Sequence, residues 1–226
     1  MSLAVVSLSG GMDSCVAASI AKRDGHELAF LHAGYGQRTE GREKLAFEQI
    51  ANYYGVPPEK RLVVPMQALC MIGGSSLTGQ ATPAGQHRLV RGGIPSTYVP
   101  FRNAHLLAAC VSWAEVLGAG DIYIGVVEQD SSGYPDCTSA FLTAFERAAN
   151  EGTAPQTAIK LNAPVINMTK ADIVRIGMGN GAPLHLTWSC YFSEALACGR
   201  CESCILRLRG FERAGRKDPI AYEGRP

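Results

Sequence analysis

Short apolar runs alternate with longer stretches of helical periodicity through the first part of the chain. Three runs have the length and composition of buried strands: Ala4-Val5-Val6, Glu27 to His32 and Arg61 to Val64. The segments that follow them repeat apolar residues at intervals of three and four: Val16 to Arg23, Thr39 to Tyr54 and Met66 to Met71. This alternation predicts a parallel sheet with helices on both faces, a doubly wound, Rossmann-like α/β fold.

The second part of the chain continues the alternation. The clearest helix runs from Asn103 to Gly118, where Asn103 is a favourable N-cap and the apolar residues form one stripe. Four further elements are predicted: strands at Asp121 to Val126 and around Ile159 to Leu161, and helices at Ser139 to Asn150 and from Thr169-Lys170-Ala171-Asp172 onward.

One long segment, Gly73 to Ser96, follows neither pattern. It is too long and too rich in glycine, serine and proline for a plain connector, so it is either a mobile lid or disordered, and we favour the lid. We therefore expect an α/β domain at residues 1–182, with a mobile loop at 73–96, and a C-terminal cysteine-bearing segment at residues 183–226.

The turn after the first strand, Leu8-Ser9-Gly10-Gly11-Met12-Asp13-Ser14, is predicted to bind phosphate. Its two glycines allow successive N–H groups to point into one concavity, and the following helix adds its positive end. The serine hydroxyls can donate to phosphate oxygens, and the aspartate can hold a Mg²⁺ ion that a polyphosphate brings. The turn matches neither G-x-x-x-x-G-K-[ST] nor G-x-G-x-x-G. S-G-G-x-D-S resembles instead the PP-loop of ATP pyrophosphatases, although a Gly-Gly turn alone can be a structural connection.

Composition and charge narrow the class of protein. Hydrophobic residues make up 46% of the chain and charged residues 18%, as in ordinary globular proteins. The formal net charge of +1 gives no global attraction to nucleic acid or to an anionic membrane. No charged leader or membrane-length apolar stretch is present in this sequence, so we expect a cytoplasmic protein with no membrane partner and no stable nucleic-acid partner.

Four of the eight cysteines, Cys190, Cys198, Cys201 and Cys204, have the spacing C-x7-C-x2-C-x2-C. Four thiolates that converge in this way suit zinc or an iron–sulfur cluster, and the polar flanking residues disfavour buried free cysteines. A closed zinc site would fix the C-terminal segment against the domain. Three other cysteines lie in apolar helical patterns and are expected in the core: Cys15, Cys70 and Cys110. Cys137, at a strand end, is a possible nucleophile.

Seven motifs occur in the order found in the 7-cyano-7-deazaguanine synthases: S-G-G-M-D-S, Y-G-Q-R at 35 to 38, S-S-L-T-G at 75 to 79, Y-V-P-F-R-N at 98 to 103, S-G-Y-P-D-C at 132 to 137, T-W-S-C-Y at 187 to 191 and C-G-R-C-E-S-C at 198 to 204. The chain therefore resembles this family, within the PP-loop ATP pyrophosphatases, over nearly its whole length. The resemblance implies an adenine nucleotide α hydrolase-like fold, one structural Zn²⁺ on the four cysteines, and a homodimer.

The resemblance also implies an activity. The enzyme would be an ATP-dependent carbon–nitrogen ligase that converts 7-carboxy-7-deazaguanine and ammonia to the nitrile preQ0, on the route to queuosine in tRNA. ATP with Mg²⁺ would be the co-substrate, adenylated intermediates would form, and AMP- or ADP-type products would leave with pyrophosphate or phosphate. Such an enzyme must hold pyrophosphate, stabilise charge on the α-phosphate and take up protons.

Two sets of residues are predicted to do this work. The nucleotide-binding set is Leu8, Ser9, Gly10, Gly11, Met12, Asp13, Ser14, Cys15 and Arg38. The catalytic set is Asp13, Arg102, Asp130, Asp136 and Lys170. Arg102, Lys170 and Arg38 would offset transition-state charge, and the two later aspartates would bind substrate donors or act as bases. A capped, solvated helix start remains the alternative for Lys170 with Asp172, and turn formation remains the alternative for the two aspartates.

Recognition of a guanine-like bicycle requires an acceptor for its N1–H and 2-amino edge and an apolar face for its rings. Glu128 or Asp130 is predicted to supply the acceptor, and Tyr98, Phe101 or Tyr134 the face. Two residues depart from the family pattern: Gly34 stands where an aspartate is common, and Phe101 stands where a glycine is common. Both departures bear on how the substrate is bound and not on the type of reaction.

Three other functions remain open at this stage. A PP-loop tRNA thiolase would place an iron–sulfur cluster on the cysteines, and it would want a basic groove that the near-zero net charge does not suggest. A non-enzymatic nucleotide-binding module would use the zinc segment to dock a partner. A diverged paralogue would adenylate another carboxylate.

Overall fold

The computed structural model describes residues 2–78, 94–128 and 133–224 of the chain. Within them, five strands form one sheet: β1 Leu3–Ser7, β2 Glu27–Gly34, β3 Arg61–Pro65, β4 Asp121–Ile124 and β5 Lys160–Asn162. All neighbouring strands are parallel, and their order is β3-β2-β1-β4-β5. The chain moves outward from β1 to one edge and then crosses to β4 on the other side of β1. This confirms the predicted doubly wound α/β fold.

Seven α-helices are described around the sheet: α1 Met12–Arg23, α2 Glu40–Tyr53, α3 Gln67–Ile72, α4 Arg102–Leu117, α5 Ser139–Gly152, α6 Lys170–Gly179 and α7 Glu202–Arg213. Helices α1, α2, α6 and α7 contribute to a core on one face of the sheet, and α4 and α5 contribute to a core on the other. Strand β1 feeds both cores, because Val6 belongs to the first and Val5 to the second. Within the described part of the chain, no helix combines the length and the apolar character needed to cross a membrane.

Two local predictions were wrong, and one strand end was predicted two residues too late. Asn103 does not cap α4: the residue before the helix is Phe101, which adopts a left-handed conformation with φ 58°, and Asn103 lies inside the first turn. Cys70 is exposed rather than in the core, whereas Cys15 and Cys110 are buried as predicted. Strand β4 ends at Ile124, two residues before its predicted end, and the next residue is Gly125.

The expected lid lies largely outside the described residues, which omit 79–93. On its two flanks, the Ser76 N–H donates to the Ser96 carbonyl at 2.8 Å, so the described ends of the segment meet. Whether the segment is a lid therefore stays a prediction.

Candidate active site

The predicted phosphate-binding turn connects β1 to α1 at the carboxyl end of the central strand. Gly10 has φ +85°, a conformation that side-chain-bearing residues rarely adopt. The Ser9 N–H donates to Ser14 Oγ at 3.2 Å, and the Gly11 N–H donates to Ser9 Oγ at 3.2 Å. The two hydroxyl oxygens lie 3.0 Å apart, so these serines brace the loop. The turn has the closed shape and glycine conformation that a phosphate cradle needs.

Three neighbouring elements press against this loop. A Cβ at Gly10 would lie 2.6 Å from the Glu43 carbonyl oxygen of α2. A Cβ at Gly125, just after β4, would lie 2.4 Å from the Ser14 nitrogen. The Trp188 N–H donates to the Gly10 carbonyl at 2.8 Å. Glycine at both positions is therefore required by close approach, and the loop is held from three sides.

The side chains of Asp13 and Lys170 form an ion pair beside the loop. Lys170 is the first residue of α6, and its Nζ lies 2.5 Å from Asp13 Oδ2. The other oxygen, Asp13 Oδ1, is buried and accepts no hydrogen bond from the described residues. Thr169 and Asp172 form a capping box at the start of α6. The helix start is thus capped, as one prediction had it, and it also delivers a lysine to the phosphate loop.

Arg102 and Asp136 lie near each other on the other side of the site. Arg102 Nη1 donates to the Tyr35 hydroxyl at 3.1 Å, and its Nε is buried with no partner among the described residues. Burial by itself lowers the pKa of Arg102, but the neighbouring Tyr35, Tyr134 and Asp136 raise it above its usual value. The guanidinium is therefore charged at every physiological pH.

Asn103 holds the Asp136 segment against the start of α4. Its N–H donates to Asp136 Oδ2 at 2.8 Å, and its Nδ2 donates to the Asp136 carbonyl at 3.0 Å and to Cys137 Sγ at 3.2 Å. Burial raises the pKa of the Asp136 carboxyl, and Asp136 Oδ1 is buried without a partner in the described residues. Burial also raises the pKa of Cys137 to about 11. A thiol of that kind stays protonated near neutrality and is a poor nucleophile.

A cavity of about 260 Å³ opens between the phosphate loop and these residues. The predicted residues that line it are Leu8, Ser9, Gly11, Met12, Asp13, Ser14, Arg38, Arg102, Tyr134, Cys137 and Lys170. Gly10, Cys15 and Asp136 do not line it, and Cys15 is fully buried in the core. Asp130 lies outside the described residues.

Of the residues predicted to recognise the substrate, some line the cavity and others do not. Glu128 does not line the cavity, and its Oε2 accepts from the N–H and the hydroxyl of Ser139 at the start of α5. Phe101 is 55% exposed and lies outside the cavity. Tyr98 lies behind Tyr134, with ring centroids 5.5 Å apart. Of the three aromatic candidates, Tyr134 is the one that reaches the cavity.

Sequence reasoning missed two walls of the cavity. One comes from the connection between β2 and α2: Tyr35, Gln37, Thr39 and Glu43. The other comes from the C-terminal segment: Trp188, Ser189, Tyr191, Glu202, Ser203, Leu206 and Arg207. Most of these residues lie in or beside the motifs Y-G-Q-R, T-W-S-C-Y and C-G-R-C-E-S-C, so the motifs carried a signal that the residue-by-residue assignment did not use.

The space left by the missing side chain of Gly34 is filled. A Cβ at this position would lie 2.5 Å from Glu40 Oε1, and Glu40 Oε2 accepts from the Gly36 N–H at 2.8 Å. A carboxylate from α2 therefore lies directly beside the backbone of Gly34.

The four C-terminal cysteines form a cluster at the start of α7. Their sulfur atoms all lie within 4.8 Å of one another, and all four side chains are buried. The backbone N–H groups of Cys198, Cys201 and Cys204 each donate to the sulfur of the preceding cysteine in the cluster, at 3.3–3.4 Å. Sulfurs at 2.3 Å from a tetrahedral ion lie about 3.8 Å apart, and the Cys198 and Cys204 sulfurs are 4.0 Å apart. The cluster fits one metal ion.

A buried ion pair ties the cluster segment to the rest of the chain. Arg207 is 1% exposed, and its Nε and Nη2 donate to the two carboxylate oxygens of Asp218 at 2.8 and 3.0 Å. The same guanidinium donates to Thr187 Oγ1 at 2.6 Å and to the Leu184 carbonyl at 3.0 Å. Asp218 also accepts from the Tyr222 hydroxyl at 2.7 Å. Arg207 therefore stabilises the wall that α7 gives to the cavity.

The turn of S-G-G-x-D-S type, at the switch point of a 3-2-1-4-5 parallel sheet, defines a protein of the PP-loop class. The comparisons agree with this class and narrow it. The chain belongs to the QueC family, described as queuosine biosynthesis protein QueC, whose profile matches residues 3–215.

Several relatives match over nearly the whole chain. A 7-cyano-7-deazaguanine synthase of Chlorobaculum parvum is 52% identical over 223 residues, which cover 99% of this chain and 97% of the relative. One of Chlorobium phaeobacteroides is 54% identical and is covered to 98%. Among solved structures, a 4-thiouridine synthetase in complex with RNA and ATP shares the fold, with a TM-score of 0.53 and 17% identity, over 95% of this chain and 53% of that chain.

Proposed function

We propose that this protein is a 7-cyano-7-deazaguanine synthase, which converts 7-carboxy-7-deazaguanine, ammonia and ATP to the nitrile. The relatives that share more than half of its residues are named for this product. The observation that carries the proposal is the shared cavity, because the phosphate loop, the Asp13–Lys170 pair and Arg102 all face it. A nucleotide and an acid substrate bound there would meet at the end of β1.

In the proposed first step, a carboxylate oxygen of the substrate attacks the α-phosphate of ATP, and pyrophosphate leaves. The N–H groups and the positive end at the start of α1 would hold the leaving pyrophosphate, since the N–H groups of Ser9 and Gly11 already donate to serine hydroxyls. Asp13 Oδ1 would bind the Mg²⁺ that accompanies it, since this oxygen is buried and has no partner in the described residues. Lys170 and Arg102 would offset the charge that builds on the phosphate.

Ammonia would then attack the acyl carbon and release AMP, which leaves an amide. Adenylation of the amide oxygen by a second ATP, followed by loss of AMP and of the remaining N–H protons, gives the nitrile. Asp136 is the proposed proton acceptor on the Arg102 side, because burial raises the pKa of its carboxyl towards the range in which a general base works. It does not line the cavity, so it would act through a bound water or a neighbouring group.

The cysteine cluster would hold one structural Zn²⁺ ion. Four thiolates complete a tetrahedral site and leave no open position, so the ion would not take part in the reaction. Its role would be to fix the start of α7, and with it the cavity wall. We also propose that the protein is a homodimer and is cytoplasmic.

The test is to incubate the metal-loaded protein with ATP, Mg²⁺, ammonium and 7-carboxy-7-deazaguanine, and to follow AMP, pyrophosphate and the product mass. We expect nitrile formation, and we expect Asp13→Asn to lower the rate by roughly 100-fold or more without loss of metal. Asp24→Asn, at the opposite end of α1, is the matched control and should keep the wild-type rate.

Each competing function has its own outcome in this assay. ATP binding without substrate-dependent pyrophosphate release would indicate a nucleotide-binding module. Iron and visible absorbance in place of one zinc per chain would indicate a thiolase-type protein. AMP formation only with another acid would indicate a paralogue, and any of the three results would overturn the proposal.

A further inference from the structure

The purine-like substrate of the proposed reaction needs an acceptor for its N1–H and 2-amino group, and the cavity offers few. Among the described residues that line it, three carry carboxylates: Asp13, Glu43 and Glu202. A carboxylate is the side chain that can accept from both groups at once, since it has two acceptor oxygens and no donor when ionised. The choice among these three decides which wall of the cavity accepts hydrogen bonds from the N1–H and the 2-amino group of the substrate.

Asp13 is committed to the phosphate loop. One of its oxygens lies 2.5 Å from Lys170 Nζ, and the residue sits in the first turn of α1. An acceptor at this position faces the pyrophosphate end of the site. The same carboxylate cannot also accept hydrogen bonds from the far edge of a bicyclic base.

Glu43 is held within its own wall. Its Oε1 accepts from Thr39 Oγ1 at 2.7 Å, and its Oε2 accepts from Gln37 Nε2 at 3.0 Å. The amide of Gln37 is oriented by the Tyr35 N–H, which donates to Gln37 Oε1 at 2.9 Å, so the Nε2 group must face Glu43. Burial also raises the pKa of the Glu43 carboxyl, which favours its neutral form. Both properties weaken Glu43 as a double acceptor.

Glu202 is placed differently. It is the first residue of α7, between two cysteines of the cluster, and it lines the cavity beside Ser203. Tyr191, Arg102, Tyr134 and Tyr35 line the same cavity, and Glu202 lies within electrostatic range of Tyr191, so these five side chains border one region. That region is aromatic and polar, has Arg102 as its cation, and is the part of the cavity suited to a flat heterocycle.

We propose that Glu202 is the specificity-determining residue that accepts hydrogen bonds from the N1–H and 2-amino edge of the deazaguanine. This inference rests on the proposed function, and it assigns the four-cysteine segment a direct part in substrate recognition. The cluster then orients a binding residue, because the backbone on both sides of Glu202 is anchored by cysteine ligands at Cys201 and Cys204. The region's cation, Arg102, remains available for the carboxylate end of the substrate.

The test compares two substrates in two proteins. The natural acid and its analogue without the 2-amino group are each assayed with wild type and with Glu202→Gln. Wild type should prefer the natural acid, because the analogue leaves a carboxylate oxygen without its donor. Glu202→Gln presents one acceptor and one donor, so KM for the natural acid should rise roughly 10- to 100-fold and the preference should largely vanish.

The matched control is Glu212→Gln, the same substitution at an exposed position near the other end of α7, which should leave both KM and preference unchanged. Metal content and ATP binding are measured in every variant. If Glu202→Gln loses metal, Glu202→Asp replaces it: the shorter carboxylate should raise KM while the preference for the 2-amino group persists.

The results separate the two proposals. If wild type forms no nitrile, the proposed function fails. If wild type forms nitrile and metal-loaded Glu202→Gln keeps the wild-type preference, only the inference about Glu202 is overturned. Loss of the preference in Glu43→Gln but not in Glu202→Gln would transfer the recognition role to the other wall.

Discussion

Gly125 controls how closely the central sheet approaches the phosphate loop, and its replacement by alanine tests this packing. The new Cβ would lie 2.4 Å from the Ser14 nitrogen and 2.5 Å from the Asp13 carbonyl carbon. Ordinary van der Waals contact begins at 3.4 Å, so the strand end or the loop must move by about 1 Å. Both clashing atoms belong to the backbone, so a side-chain rotation cannot relieve the clash.

Two effects of different size are expected from Gly125→Ala. Overpacking of this kind costs about 1–3 kcal/mol of unfolding free energy, which for a chain of this length lowers Tm by roughly 2–4 °C per kcal/mol. Displacement of a catalytic loop by about 1 Å lowers the rate far more, by roughly 100-fold. The variant should therefore stay folded at 25 °C and lose most of its AMP formation.

The assay is kcat/KM for AMP formation at saturating ammonium, together with the Tm of the metal-loaded protein. Gly152→Ala is the matched control: this glycine ends α5, and a Cβ there would meet nothing within 4 Å. It should leave the rate unchanged and raise Tm slightly. A Gly125→Ala protein that keeps kcat/KM within twofold of wild type would show that the loop does not depend on this contact.

Two further predictions concern buried groups. Asp218→Asn leaves the buried Arg207 charge without its counter-charge, so the free energy of unfolding, measured in urea, should fall by about 3–5 kcal/mol. The control is Glu223→Gln, which removes an exposed 3.9 Å pair with Arg200 and should change the free energy of unfolding little. A loss for Asp218→Asn no larger than that for Glu223→Gln would contradict this reasoning. Because burial raises the pKa of Cys137 to about 11, iodoacetamide at pH 8 should alkylate exposed Cys70 and spare Cys137, and labelling of Cys137 should increase only as the pH approaches that value. Rapid modification of Cys137 at pH 8, measured by peptide mass spectrometry, would contradict the raised pKa of this thiol.

The features that sequence predicted well are those encoded in neighbouring residues. The five strands were each predicted within a few residues of their observed ends, because apolar runs and periodicity are local signals. The phosphate loop and the cysteine cluster were predicted for the same reason, since each depends on a short spacing of residues with distinctive chemistry. Local spacing was enough to indicate which elements exist and where the glycine turn and the cysteine cluster lie.

The features that sequence did not predict depend on contacts between distant segments. Asn103 has the chemistry of an N-cap, but tertiary contacts use its side chain to hold the Asp136 segment, and Phe101 takes the position before the helix. Helix α7 was not predicted, because its start is set by the cysteine cluster. Glu43 was missed because nothing in its sequence neighbourhood shows that it faces the cavity, and Glu202 was missed because its motif, C-G-R-C-E-S-C, was interpreted only as a set of metal ligands.

The hydrogen bond from the Trp188 N–H to the Gly10 carbonyl has a consequence for biosynthesis. The ribosome releases the amino-terminal turn early, whereas the tryptophan emerges when most of the chain has already been made. The nascent polypeptide can assemble β1 and β2 before then, but the S-G-G-M-D-S turn gains this support only after Trp188 has been made. A product truncated before Trp188 would thus lack one support of a turn that had been synthesised long before.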